Sequence, residues 1–201
     1  MNATGNDERC FQEAIHRFDE ANSSDPNIVI VDGKPVPYEL FYALRLTDWV
    51  QHLCPHASPA LRLAARCQHI CRWMIPRNSY PMTRAGYLKW RTDLKQFHAE
   101  RSGEILSKSG CSPDLAARVQ ELNLKKNLGQ DEELQVLEDA LCLVTLQYQL
   151  TDLIQKTDPE KMVSILQKTW KKMSSQARDE ALRLPYSEDQ RSLLAKALSA
   201  V

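Results

Sequence analysis

Apolar residues recur at three- and four-residue steps along nearly the whole chain, the spacing of helices with one buried face. Cys10, Phe11, Ala14, Ile15 and Phe18 predict a first helix over about 8–20, with His16, Arg17 and Asp19 on its polar side. The exception is Asn27 to Pro35, where Ile28-Val29-Ile30-Val31 precedes Asp32-Gly33. That stretch predicts a short extended piece and a turn, a minor hairpin too isolated to found a sheet.

Start and stop residues frame the other helices. Pro37 opens a second helix to about Leu53, with Glu39 in its first turn, where the helix dipole favours an acid. Ser58-Pro59 opens a third, predicted to run to about Trp73 before Pro76 stops it. After a shaped loop from Pro76 to Pro81, Thr83 caps a fourth helix from Arg84 to about Lys108, closed by Gly110. Ser112-Pro113 opens a fifth, and Asp131 a sixth running to about Ile154, apolar on more than one side. Asp158-Pro159, Ser175 and a capping box at Ser187 and Gln190 start three more. The expected fold class is all-α: a single helical domain with its core over about 8–154 and a C-terminal helical extension over about 158–199.

Composition narrows the function classes. With 26 basic and 26 acidic residues in 201, the chain lacks the overall basic excess of a dedicated binder of long nucleic acid. No stretch of 18 apolar residues and no signal-type leader is present, so a cytoplasmic protein, able to reach the nucleus by size, is expected, without membrane association. Of six cysteines only Cys67 and Cys71 are close, at an i,i+4 spacing that suits buried thiols better than a metal pair. The motifs of nucleotide-binding P-loops, dinucleotide folds, zincins and serine hydrolases are absent.

Charge is uneven along the chain. Between Asp48 and Asp93 there is no acid, while Arg62, Arg66, Arg72, Arg77, Arg84, Lys89 and Arg91 all fall there. Such a field suits an anionic small molecule, although a charge-segregated surface is the plainer alternative. Arg66, Arg72, Arg77, Arg84 and Arg91 are the candidate anion contacts, because guanidinium forks match phosphate. Trp73, Tyr80 and Trp90 are candidate stacking surfaces for a planar group. His69 and His98 lie on adjacent predicted helices, and the acids Glu138 and Asp139 sit in an otherwise apolar run. A first-row metal held by His69, His98 and Asp139 is one reading; an acid simply paired with Arg66 or Arg72 is the other.

The segment from Ala64 to Arg91, followed by Phe97-His98-Ala99 and later Leu137 to Val144, resembles the domain-of-unknown-function family 4202 over most of the chain. A looser likeness is to the HD-type metal-dependent phosphohydrolases, all-helical enzymes in which His and Asp side chains from several helices bind divalent metal. Residues 63–70 are similar to the helix bearing their His-Asp pair, with His69 at the His, while His98 and Asp139 match a further His and the late Asp. Ile70 stands where the paired Asp is expected. Where the first His is expected the chain has Tyr42, Leu44 and Arg45, with Glu39 or Asp48 the nearby substitutes.

The resemblance implies a divergent HD-like fold and a metal-dependent phosphohydrolase acting on a nucleotide or other small phosphorylated compound. Mn, Fe, Zn or Mg would be held by His69, His98 and Asp139, Glu138 would accept or orient a proton, and Arg72, with Arg77 and Arg91, would bind the phosphate in the reacting ester. A non-catalytic anion or nucleotide binder, or an RNA-related binding protein, is the alternative.

Overall fold

The computed structural model describes residues 3–125 and 129–199. Its elements are α1 (Ala3–Ser23), β1 (Ile28–Val31), β2 (Lys34–Pro37), α2 (Tyr38–Leu53), α3 (Pro59–Cys67), α4 (Arg84–Lys108), α5 (Pro113–Leu124), α6 (Glu132–Val144), α7 (Leu150–Lys156), α8 (Pro159–Lys172), α9 (Ser175–Leu182) and α10 (Glu188–Leu198). The fold is all-α with one small hairpin. β1 and β2 pair antiparallel, Val31 opposite Lys34, across Asp32 and Gly33, both with positive φ (50° and 76°). That geometry belongs to a two-residue turn of the type that glycine favours. No helix among the described residues is long and apolar enough to cross a membrane.

Caps fall where the start residues predict. Ser58, Thr83, Ser112, Asp131, Asp158 and Ser187 each accept a backbone N–H of the first helical turn, and Ser187 and Gln190 close the reciprocal box. α2 packs on both α3 and α6, α4 lies along α5, and one apolar core continues from Phe11 to Ala197. Leu46, Leu63, Ile70, Leu106, Leu137 and Leu143 are fully buried in it.

Two predicted helices are interrupted, and both interruptions shape the cavity described below. The third was expected to reach Trp73, but α3 stops at Cys67, and a turn leads through Cys71 to a 3-10 turn at Arg72–Met74. Cys71 takes a left-handed conformation, φ 52°, and its N–H donates to Oδ1 of buried Asn22 at 3.1 Å. This side chain from α1 satisfies the backbone that a continuing helix would have paired. The sixth was expected to run unbroken to Ile154. A π-helical turn over Thr145–Gln149 separates α6 from α7 instead, a local widening of the kind often met at functional sites.

Candidate functional site

Glu39 opens the site from the start of α2. Asp25 fixes the place: its Oδ1 accepts the Asn27 N–H and its Oδ2 accepts the Glu39 N–H, both at 2.9 Å, tying the hairpin to the helix N-terminus that Pro37 leaves uncapped. The Glu39 carboxyl is thereby turned inward, with its residue 4% exposed. One turn on, Tyr42 stacks on His69, ring centroids 4.4 Å apart. The break after α3 swings His69 and Arg72 inward. Nδ1 of His69 stands 3.6 Å from Oε2 of Glu39, and Nε of Arg72 is 3.9 Å from Oε1. From α4, His98 brings its ring to 5.7 Å from that of His69, and Trp90 lies under the Arg72 guanidinium at 4.9 Å.

These groups line a cavity of about 530 Å3 between α2, α4 and α6, within the usual range for small-molecule sites. Among the described residues, five cationic side chains, Arg72, Arg91, Lys95, Lys125 and Lys172, line it against two carboxyl groups, Glu39 and Glu138. Lys125, in a left-handed residue just past α5, donates to Oε2 of Glu138, while Lys172 at the end of α8 donates to Oε1 at 3.2 Å.

Burial sets the protonation states. It pushes the Glu39 carboxyl up to about 8; Arg72 opposes the shift and Asp25 adds to it. It carries His98 down to about 3, helped by Arg72, and takes His69 well below the ordinary imidazole value, helped by Arg72 and His98. At neutral pH the Glu39, His69 and His98 group is therefore uncharged. Glu138 behaves oppositely: burial works to raise it, but Lys125 and Lys172 together hold its carboxyl below the usual range. Lys125 is itself lowered by burial against the pull of Glu138.

The expected residues divide. His69, His98, Glu138, Arg72, Trp90 and Arg91 all line the cavity. Asp139 does not: its Oδ1 accepts the Ser174 N–H at 2.9 Å and Nε2 of Gln135 at 3.0 Å, which places it as a brace between α6 and the start of α9. The trio of His69, His98 and Asp139 is therefore not brought together. Among the described residues no group of three or more His, Cys, Asp or Glu side chains is placed to hold a metal ion. These donors do not fit the expected divalent ion, whose ligands would converge to about 2.0–2.3 Å.

Arg66 forks onto Asp19 of α1, at 2.6 and 2.8 Å, and does not line the cavity. Arg77 donates to the carbonyls of Tyr80 and Pro81, and the Tyr80 hydroxyl donates to Asp93. These two shape the loop beside the mouth. Trp73 packs partly buried against the core and Arg84 is exposed. Cys67 and Cys71 are free thiols, both buried.

Sequence reasoning missed Lys125 and Lys172, which sit among many solvated lysines and carry no local signal. It read Glu39 first as a dipole partner, although its proximity to Asp25-Pro26 and a hairpin turn pointed to a fixed, enclosed helix start. The family model described as Domain of unknown function (DUF4202) matches residues 12–194. No curated protein and no solved structure matches the chain.

Proposed function

From the premise that the chain belongs to the DUF4202 family, we propose that it binds a small phosphorylated compound in the cavity between α2, α4 and α6. One observation carries this reading. Among the described residues five cations line the walls, while of the two carboxyl groups one is kept neutral by burial and the other is already held by two lysines. Cations gathered on low-dielectric walls attract an anion far more strongly than the same charges spread on a surface. Arg72 and Arg91 supply forked donors, and Trp90 with Tyr87 supplies aromatic faces beside them.

Titration calorimetry of the full chain with inorganic phosphate, methyl phosphate and a panel of nucleotides and sugar phosphates tests it. Binding that weakens in Arg91→Ala and Lys172→Ala supports the site. Indifference to the whole panel refutes it.

A second reading, hydrolysis of the bound ester as in the phosphohydrolases, is favoured by the meeting of His69 and His98 beside Glu39. It predicts release of inorganic phosphate from a bound ester, with or without added Mn, Fe, Zn or Mg. Absence of release under all these conditions, from an ester shown to bind, removes catalysis and leaves the binding role.

A further inference from the structure

Three buried polar atoms on the cavity residues hold no bond. Oε2 of Glu39, Oε1 of Gln68 and Nε2 of His98 have no hydrogen-bond partner among the described residues, although Glu39 and Gln68 are 4% and His98 3% exposed. A buried polar atom left unpaired costs about 1–3 kcal/mol, so three lining one cavity point to a group that satisfies them. His69 sits between Glu39 and His98 without doing so. Its Nδ1 is 3.6 Å from Oε2 of Glu39, beyond hydrogen-bond length, and its ring is tilted 42° to that of His98 at a centroid distance of 5.7 Å.

The chemistry of that wall selects the group. Lys125 and Lys172 are on Glu138, and among the described residues Arg72 is the one Lys or Arg that approaches Glu39, at 3.9 Å. A second phosphate would meet a carboxyl group and two imidazoles that carry no positive charge, and would lose its hydration for little return. A hydroxyl both donates and accepts, so it pairs with the carboxyl and with the imidazole in either tautomer. Size points the same way, since a lone phosphate or sulfate leaves most of about 530 Å3 unfilled.

Resting on the binding role above, we infer that the occupant is a phosphate ester of a polyol. Its phosphoryl group lies among Arg91, Lys125 and Lys172, and its hydroxyls bond Oε2 of Glu39 and Nε2 of His98. A free sugar phosphate and the ribose 5′-phosphate half of a nucleotide present this same chemistry.

Calorimetry of the full chain with methyl phosphate, ribose 5-phosphate and adenosine 5′-monophosphate separates the cases. Methyl phosphate is expected to bind, and both ribose phosphates to bind at least about tenfold tighter. Equal gains assign the sugar phosphate as sufficient; a further gain for the nucleotide assigns the base a share as well. Glu39→Met and His98→Phe are each expected to remove most of the gain over methyl phosphate. Should either variant fail to fold, the three-ligand comparison on the unaltered chain still decides. Ribose 5-phosphate binding no tighter than methyl phosphate overturns the polyol inference and leaves the anion site standing. No binding by any of the three overturns both.

Discussion

Nδ1 of His69 stands 3.6 Å from Oε2 of Glu39, and the Tyr42 ring stacked on the imidazole at 4.4 Å holds that face in place. Two groups that would form an ion pair in water are here both pushed toward their neutral forms, the acid upward and the base downward. The driving term is the same for each, loss of water around a charge. The contact is thus an uncharged polar pair at the edge of a cationic cavity.

Glu39 makes the fold pH-dependent in a direction unusual for a carboxylate. Its folded value of about 8 lies above the ordinary 4.5, so the folded state holds a proton that the unfolded chain has released. This contribution is fully present below about pH 4.5, declines as pH rises, and is gone above about pH 8, a loss of up to about 5 kcal/mol. Glu39→Gln keeps the shape and cannot ionise. Denaturant unfolding at several pH values should give a variant close to the wild type at pH 4.5 and more stable than it at pH 8.5. A difference that stays constant over this range contradicts the assignment.

The two lysines on Glu138 should separate by burial. The Lys125 side chain is 16% exposed and Lys172 50%. Removing the buried partner leaves an acid enclosed with only a half-solvated cation, a change that costs about 3–5 kcal/mol when a pair is fully interior. Lys125→Met is expected to lower stability toward that range, and Lys172→Met by about 1 kcal/mol or less. Equal losses from the two would show that Lys125 is not the enclosed partner.

Arg66 and Arg91 belong to the same acid-free stretch yet serve different ends. Arg66 closes a two-bond fork onto Asp19, tying α3 to α1, whereas Arg91 is exposed at the cavity and, among the described residues, donates to the Tyr87 hydroxyl alone, at 3.3 Å. Arg66→Ala should cost about 1.5–3 kcal/mol, the usual worth of hydrogen bonds to charged groups, and leave methyl phosphate binding unchanged. Arg91→Ala should do the reverse, weakening methyl phosphate about tenfold with little change in unfolding. Thermal melts and calorimetry on the two variants read both quantities.

How far the chain could be read in advance follows from what each feature depends on. Helix starts depend on two or three adjacent residues, so Thr83 before α4 and Ser112-Pro113 before α5 were legible directly. The end of α3 was not, because Asn22, 49 residues away, takes the Cys71 N–H and lets the helix stop before Pro76 demands it. The meeting of His69 and His98 was legible from their places on consecutive predicted helices, although His69 stands in the turn past the end of α3. Asp139 was not: neighbouring positions on α6 point to different sides, and only the packing of α9 shows that Glu138 faces the cavity while Asp139 braces Ser174.

Gly86 ties the loop beside the mouth to the cavity, and a single methyl group tests the connection. It lies in the first turn of α4, where a Cβ would fall 2.1 Å from the Pro81 carbonyl oxygen. That oxygen is not free to retreat, because Arg77 donates to it at 2.8 Å and to the Tyr80 carbonyl at 3.0 Å. The same loop segment is anchored upstream, where Nε1 of Trp90 donates to the Ile75 carbonyl at 2.9 Å. Trp90 in turn is the surface on which Arg72 rests. Gly86→Ala must therefore shift either the loop backbone or the start of α4, at about 1–3 kcal/mol as for other overpacked sites. Displacing the loop also disturbs the Trp90 and Arg72 stack beside Glu39, so ribose 5-phosphate affinity should fall together with stability. Arg77→Ala loosens the loop and should restore part of both in the double variant, a coupling that a cycle of the two substitutions measures directly. Additive losses would mean that the loop and the stack are independent.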